Sequence, residues 1–464
     1  MMMKKILLVV CLSITFLLSG CSDWIDVSSK QEIEADKLFK TEAGFKSARI
    51  GIYTRMTLMD TYGKAMTYGK IEELVQRYDN YGTNIPTDQE RAKRYDYKND
   101  TDAKEMVNNL WLHLYRTISN INELLVKLDG DGKNIVNADL WAQMKGEALG
   151  LRAFHYFDLL RLYGPVYSEN PKMPCLPWRM EFNADRKVLL PANEIVEHIL
   201  DDLKQAENLL MDEKELSGDL DQVGRRHYMN KWAVKALMAR VYQWIGQKDE
   251  AAIQAQAVID SCGLSLVRDN QADVPMFDEM IFGLGMDDME EKVKADWVDK
   301  NTFANELYIT SDNAISVFEA RTVGISDIRY RNGWGFIHGS NGLLCRKYLG
   351  KDVLYKEKIP LIRLVEMYYI LAESVELKDC VSLINEVRRA RGISQNNDIS
   401  MSNEFNEEAR VNVLNKEYQK EFFAEGQWFY FLKRHNCQNF YRCPVEKMVY
   451  YVLPTPDDEV EYGI

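Results

Sequence analysis

Residues 141–166, WAQMKGEALGLRAFHYFDLLRLYGPV, restrict the possible folds more than any other stretch of this chain. At about 100° per residue the run carries apolar side chains on two sides. Ala148, Leu151, Leu159 and Leu162 form one, and Leu149, Ala153, Tyr156, Phe157 and Leu160 form the other. Glu147, Asp158 and Arg161 collect in a narrow polar strip, and Gly164-Pro165 stops the helix. A helix that is apolar on two sides needs neighbours on both, so this one belongs inside a stack of helices.

Other helical periods surround it. Thr41 is a plausible N-cap for a helix reaching about Met59. In residues 103–128, Trp111, Leu114, Tyr115, Ile118, Ile121 and Leu125 make one apolar stripe, broken by Gly130-Asp131-Gly132. The proline-rich connector 165–177 is followed by a helix over 193–211, with Asn193 as the expected cap. Residues 232–259 place Ala236, Ala239, Tyr242, Gly246, Ala251 and Ala255 where a tetratricopeptide hairpin needs small residues and a turn glycine. The same grammar recurs over 359–392, in Ala372-Glu373-Ser374, Ala390 and Gly392. Between the copies, residues 263–358 are irregular and rich in Gly, Asp and aromatics. With 46% hydrophobic and 11% aromatic residues in 464, a large core is assured. The expected fold class is mostly α, with tetratricopeptide-like helical repeats carrying long irregular loops.

The amino terminus reads as a secretory leader: Lys4 and Lys5, then an apolar run over 6–18 that is too short to span a membrane. Leu18-Ser19-Gly20-Cys21 is a lipobox, which makes Cys21 the expected lipid-attachment site and the mature N-terminus. Lys+Arg number 58 against 71 Asp+Glu, a balance that repels phosphate backbones, so nucleic acid is not an expected partner. Eight cysteines show no CxxC or His spacing for zinc. Cys437 and Cys443 are close enough in sequence to bridge, but buried thiols are the expectation for the six beyond Cys21.

No nucleophile elbow, zinc-protease helix, phosphate loop or dinucleotide fingerprint is present. Glu417, Glu421 and Glu425 share one helix face, where a solvated face or pairing with Lys416 and Lys420 is the ordinary outcome. His155 is expected in the core. No catalytic residue, metal or cofactor is predicted. Aromatics in irregular polar segments point elsewhere, because a pyranose offers a flat apolar face and a rim of hydroxyls. Tyr78, Tyr81, Trp297, Trp334 and Phe336 sit in such segments, Tyr78, Tyr81 and Trp334 beside Asn80 and Asn332.

Several of these stretches together resemble the SusD/RagB family of outer-membrane nutrient-binding lipoproteins. The 141–166 helix resembles its AExxxLRAxxYFxLxxxYGxVP segment, and residues 38–53 its LFxTxxGFxxAxxGxY opening. Asp327-Ile328-Arg329 resembles its DxR element, Lys347-Tyr348 its KY, and residues 359–368 its IPLIRLxEMY run. Glu417, Glu421, Glu425 and Gly426 resemble ExxxEFxxEG, and Leu453-Pro454-Thr455-Pro456 the closing motif. In the RWFDLKR element, aromatics at Trp428 and Phe431 replace the arginine and aspartate. The resemblance implies a leader over 1–20, a helical region over 21–260, an irregular region over 261–358 and a carboxy-terminal region over 359–464, with 21–464 as one unit. It also implies a non-enzymatic lipoprotein, anchored in the outer membrane and facing outward. Such a protein captures an oligosaccharide or similar nutrient for a TonB-dependent outer-membrane barrel. Its ligand surface would be built from 78–81 and 297–336; within those segments Tyr78, Asn80, Tyr81, Trp297, Asn332 and Trp334 are the expected contacts on their own residue chemistry, with no family motif fixing them. A tetratricopeptide-type scaffold for protein or peptide, and a glycoside hydrolase, are the alternatives.

Overall fold

The computed structural model describes residues 37–79, 95–181, 187–218, 223–297, 307–331, 333–339, 342–443 and 450–463. It is mostly helical; the paired strands among these residues form three two-stranded antiparallel sheets. Cys21 and the leader lie outside the described residues. No described helix is long and apolar enough to cross a membrane.

Helix α1 (Glu42–Met56) starts at the expected cap, the Thr41 hydroxyl accepting from Gly44 N at 3.1 Å. The short α2 (Lys70–Leu74) follows, then α3 (Thr101–Lys127), capped by Asp100. Next comes α4 (Ala138–Tyr163), the two-sided helix, buried at every residue from Gly146 to Tyr163. It lies between α3 and α5 (Ala192–Leu209). Glycine sets the spacing: a Cβ at Gly146 would sit 2.7 Å from Leu210 Cγ, and one at Gly150 2.6 Å from Met229 Cγ. His155 is fully buried, its Nδ1 2.7 Å from Leu151 O. The carboxylates of the polar strip are paired inside the fold, with Tyr62 Oη donating to Asp158 at 2.7 Å and Tyr53 Oη to Glu147 at 3.0 Å. One cap differs from expectation. Helix α5 begins at Ala192 behind Pro191, and Asn193 makes no side-chain cap but donates its backbone N–H to Pro171 O.

The stack continues with α6 (Lys231–Trp244) and α7 (Lys248–Ser261), joined at Gly246 with φ +78°. The chain then leaves it through irregular backbone after Ser261 and returns at α10 (Leu364–Ser374), which packs on α7 as if no insertion intervened. Pairing between strands Met280–Gly285 and Lys358–Arg363 closes the excursion, and α11 (Leu377–Ala390) and α12 (Glu407–Glu421) extend the stack. The insertion also holds α8 (Met289–Trp297), α9 (Ser311–Phe318) and a hairpin of Phe336–His338 with Leu343–Cys345. Helix α13 (Gln427–Arg434) closes the carboxy-terminal part.

The three glutamates do not form a solvated face. Glu417, Glu421 and Glu425 are buried at 1%, 1% and 4% exposure. Arg363 donates to Glu421 at 2.7 Å and to Glu425 at 2.8 Å, Arg391 to Glu421 and Glu279, and Arg329 to Asp327, Glu417 and Glu421. Lys347 adds an ion pair to Glu425, and Tyr348 Oη donates to Ala424 O. Lys420 does reach Glu417, at 3.4 Å. Burial alone would raise the Glu421 pKa, but Arg391, Arg363 and Arg329 outweigh it and hold the carboxyl well below the ordinary range. The motifs that make the sequence recognisable thus converge on one buried ionic lattice joining the insertion to α12. Cys175, Cys262, Cys345 and Cys380 are buried thiols, while Cys437 and Cys443 are half-buried.

Candidate ligand-binding site

Three segments, around residues 76–79, 308–313 at the start of α9, and 441–442, meet at the carboxylate of Asp79. The first is fixed from beneath. Glu72 of α2 accepts from Arg77 Nε at 2.8 Å and from Gly426 N at 2.8 Å, and the Arg77 guanidinium lies 4.4 Å from the Trp428 ring centre. Tyr78 Oη donates to Tyr68 O at 2.7 Å, and its ring meets Phe423 edge-on. The chain therefore presents Asp79 to the second segment, with Asp79 N donating to Tyr308 O.

Asp79 is only 4% exposed and accepts from Thr310 N at 2.6 Å, Thr310 Oγ1 at 2.8 Å and Asn313 Nδ2 at 2.8 Å. Thr310 is the N-cap residue of α9 but makes no side-chain cap bond within the helix, so an Asp79 carboxylate stands at that N-terminus instead, where the helix dipole favours it. Arg442, from the third segment, pairs with Asp79 and donates to Gln76 O and Tyr78 O. Beside it Tyr441 is 40% exposed, its Oη donating to Asn313 Oδ1 at 2.9 Å. Both Asp79 oxygens are occupied by donors, so this carboxylate acts as a clasp and not as a general base. Among the described residues no group of three or more His, Cys, Asp or Glu could hold a metal ion.

The expected contacts fall into two groups. Tyr78 and Trp334 are each 1% exposed, which leaves neither ring a face for a sugar. Trp334 follows a turn at Gly333 with φ +80°, donates Nε1–H to Asn270 O at 2.7 Å, and packs with Val267, Met276 and Ile328 in a small cluster under the loop. Phe336 is buried too, edge-on to Phe423. These aromatics are supports. Asn80, Tyr81 and Asn332 lie outside the described residues, as does the side chain of Trp297, whose backbone ends α8. Sequence reasoning missed Asp79, Asn313 and Tyr441. Tyr441 carried a usable signal, being an aromatic in the polar run HNCQNFYRC over 435–443; Asp79 and Asn313 carried none.

Comparison with known proteins places the whole arrangement. Residues 23–243 match the SusD-like family described as starch-binding, associating with outer membrane, and residues 338–462 match the SusD family. A SusD superfamily protein from Bacteroides vulgatus superposes with a TM-score of 0.71 at 18% identity, covering 91% of this chain and 97% of that one. A SusD-like carbohydrate binding protein from the same species gives 0.70 at 17%, covering 91% and 96%. A SusD superfamily protein from Bacteroides thetaiotaomicron gives 0.69 at 20%, covering 91% and 98%. SusD-like protein P25 of Formosa agariphila is 22% identical over 168 residues, a match spanning 35% of this chain and 31% of that relative. The family matches to both ends of the chain, and a fold shared along nine-tenths of it, lead to one conclusion: this chain belongs to the SusD/RagB family.

Proposed function

We propose that this protein is a non-enzymatic glycan-binding lipoprotein, anchored at the outer membrane through Cys21. It captures oligosaccharide at the cell surface and passes it to a TonB-dependent outer-membrane barrel. Family membership supports the binding class, and the lipobox supports the anchor. The observation that carries the reading is the Asp79 clasp, because it ties the loop leading to Asn80 and Tyr81 to the loop following Trp297. Two loops expected to share a ligand are thereby held side by side, with an exposed tyrosine at their junction. Tyr441, Tyr81 and Trp297 are the proposed stacking residues, Asn80, Asn313 and Asn332 the proposed hydrogen-bonding neighbours, and Tyr78 and Trp334 the buried supports.

A glycan array on protein lacking residues 1–21 identifies the ligand, and calorimetry on Tyr441→Ala then tests the site. Stacking on one sugar face contributes on the order of 1 to 2 kcal/mol, so affinity should fall roughly ten-fold while the melting temperature holds. Wild-type affinity in Tyr441→Ala moves the site away from the junction. Purification under mild detergent should bring down a large barrel through an interface of well over ~2,000 Å². Recovery of the lipoprotein alone counts against the partner.

A further inference from the structure

A separate cleft, with a volume of about 590 Å³, opens between α1, the turn before α6, and the paired strands Met280–Gly285 and Lys358–Arg363. This lies within the usual ~300 to 1,000 Å³ of small-ligand sites. Ile50, Leu284 and Met286 give it an apolar wall. Its two tyrosines do not offer a plate for a sugar. Tyr53 stands edge-on to Tyr228 at 5.1 Å, and the Arg49 and Arg225 guanidiniums lie 4.8 and 5.2 Å from the Tyr228 ring centre.

The charges are arranged differently from those of a sugar site. Lys358 lines the cleft half-buried, its Nζ 5.6 Å from the Phe277 ring centre, and makes no ion pair among the described residues. Burial lowers its pKa, and only partly do Glu357 and Asp287 oppose that. Asp288 is already paired with Lys292 at 3.0 Å, whereas Asp287 has no such pair among the described residues. A half-desolvated cation whose carboxylate neighbours make no contact ion pair with it carries a cost that a directly bound anion reduces. A cation and a carboxylate that make no contact ion pair among the described residues, with an apolar wall in the same cleft, match a ligand with both charges and an apolar body.

We infer that this cleft is a second ligand site, for a small zwitterion whose carboxylate meets Lys358, whose ammonium meets Asp287, and whose apolar group lies against Ile50, Leu284 and Met286. A free α-amino acid and a short peptide share that chemistry. The assignment does not depend on what the Asp79 junction binds.

Calorimetry with L-leucine, L-leucyl-L-leucine and N-acetyl-L-leucine amide tests it. At least one of the two zwitterions should bind and the capped amide should not; leucine alone marks a free amino acid, and preference for the dipeptide marks a short peptide. Lys358→Met and Asp287→Asn should each weaken the bound zwitterion by about ten-fold or more, and Tyr441→Ala should leave it unchanged. Asp287 is exposed, so Asp287→Asn keeps the test open should Lys358→Met fail to fold. No heat from either zwitterion at millimolar concentration, equal binding of the capped amide, or wild-type affinity in the folded variants overturns the assignment.

Discussion

Truncating Asp79 to alanine is the sharpest test of how the loop junction is held. The substitution removes a carboxylate that accepts from Thr310 N, Thr310 Oγ1 and Asn313 Nδ2 at 2.6 to 2.8 Å, and it strips Arg442 of its ion-pair partner. Breaking one side of a buried ion pair costs ~3 to 5 kcal/mol. The Arg442 side chain is 26% exposed and keeps its bonds to Gln76 O and Tyr78 O, so water and backbone take over part of its charge. The expected loss is therefore about 3 kcal/mol, at the low end of that range. Asn313→Ala removes one neutral donor to the same carboxylate and should cost about 1 to 2 kcal/mol. Because both changes delete the same bond, the double variant should lose less than the sum, by about 1 kcal/mol. Urea unfolding of the four proteins supplies the cycle, and hydrogen exchange should show residues 308–313 opening in Asp79→Ala before the helical stack does. If Asp79→Ala unfolds within ~0.5 kcal/mol of the parent, with unaltered exchange over 308–313 and unaltered ligand affinity, the clasp is not what holds the loops.

Leu151→Asp places an ionisable group at a position 1% exposed on both-sided α4, and should cost more than ~4 kcal/mol, read as loss of cooperative unfolding or of soluble protein; a stable variant contradicts the enclosure of that helix. Cys21→Ala removes the thiol that accepts lipid and should leave the protein unprocessed or outside the membrane fraction; wild-type fractionation rules out the lipoprotein reading. Stability should fall with acid in two stages. Burial pushes His155 down to about 4, and burial with Lys358 pushes His227 to about 4, so between pH 6.5 and 4 the unfolded chain takes up protons that these side chains refuse in the fold. Asp273, pushed up to about 7 by burial, takes up its proton in the fold before it would in the unfolded chain and opposes them across that whole range, one group against two. Below about pH 4 Glu417 and Glu421, held low by their Arg and Lys neighbours despite burial, stay ionised while unfolded carboxyls protonate, and stability drops again. Urea midpoints from pH 7 to 3 measure both stages; His155→Gln should flatten the first, and a level curve refutes the assignment.

The helical stack was legible because its signal is local and repeated. Leu149, Ala153, Tyr156, Phe157 and Leu160 recur at a period that leaves α4 few alternatives, and every one of them is buried. Gly246 and Gly392, both at positive φ, stand where small-residue spacing had put them, Gly246 at the turn between α6 and α7 and Gly392 just after α11. The Asn193 cap failed because the neighbouring connector, not the helix itself, decides the start: Pro171 O takes the Asn193 N–H, and Pro191 fixes the entry. The glutamate face failed for a related reason. A row of Glu417, Glu421 and Glu425 looks the same in sequence whether water or guanidinium faces it, and the deciding arginines, Arg391, Arg363 and Arg329, lie 30, 58 and 92 residues from Glu421.

Trp334 shows why an aromatic among polar residues is a weak guide to a site. Its surroundings in sequence are Gly, Asn and Arg, yet the indole is satisfied by a carbonyl 64 residues away, which the local pattern gives no means of anticipating. Conversely, the residues that make this chain recognisable, Asp327, Arg329, Lys347, Arg363 and Glu421, are spent on the buried ionic lattice. That division explains how Trp428 and Phe431 can replace the family's charged pair. Trp428 donates Nε1–H to Asn415 Oδ1 at 2.7 Å and receives the Arg77 guanidinium on its ring, while Phe431 packs on Tyr418 at 4.7 Å, so the aromatics keep α13 seated through contacts of their own. Arg77 is also the residue that fixes the segment carrying Asp79. Trp428 therefore reaches the Asp79 junction through two neighbouring contacts, its ring on Arg77 and the Arg77 bond to Glu72.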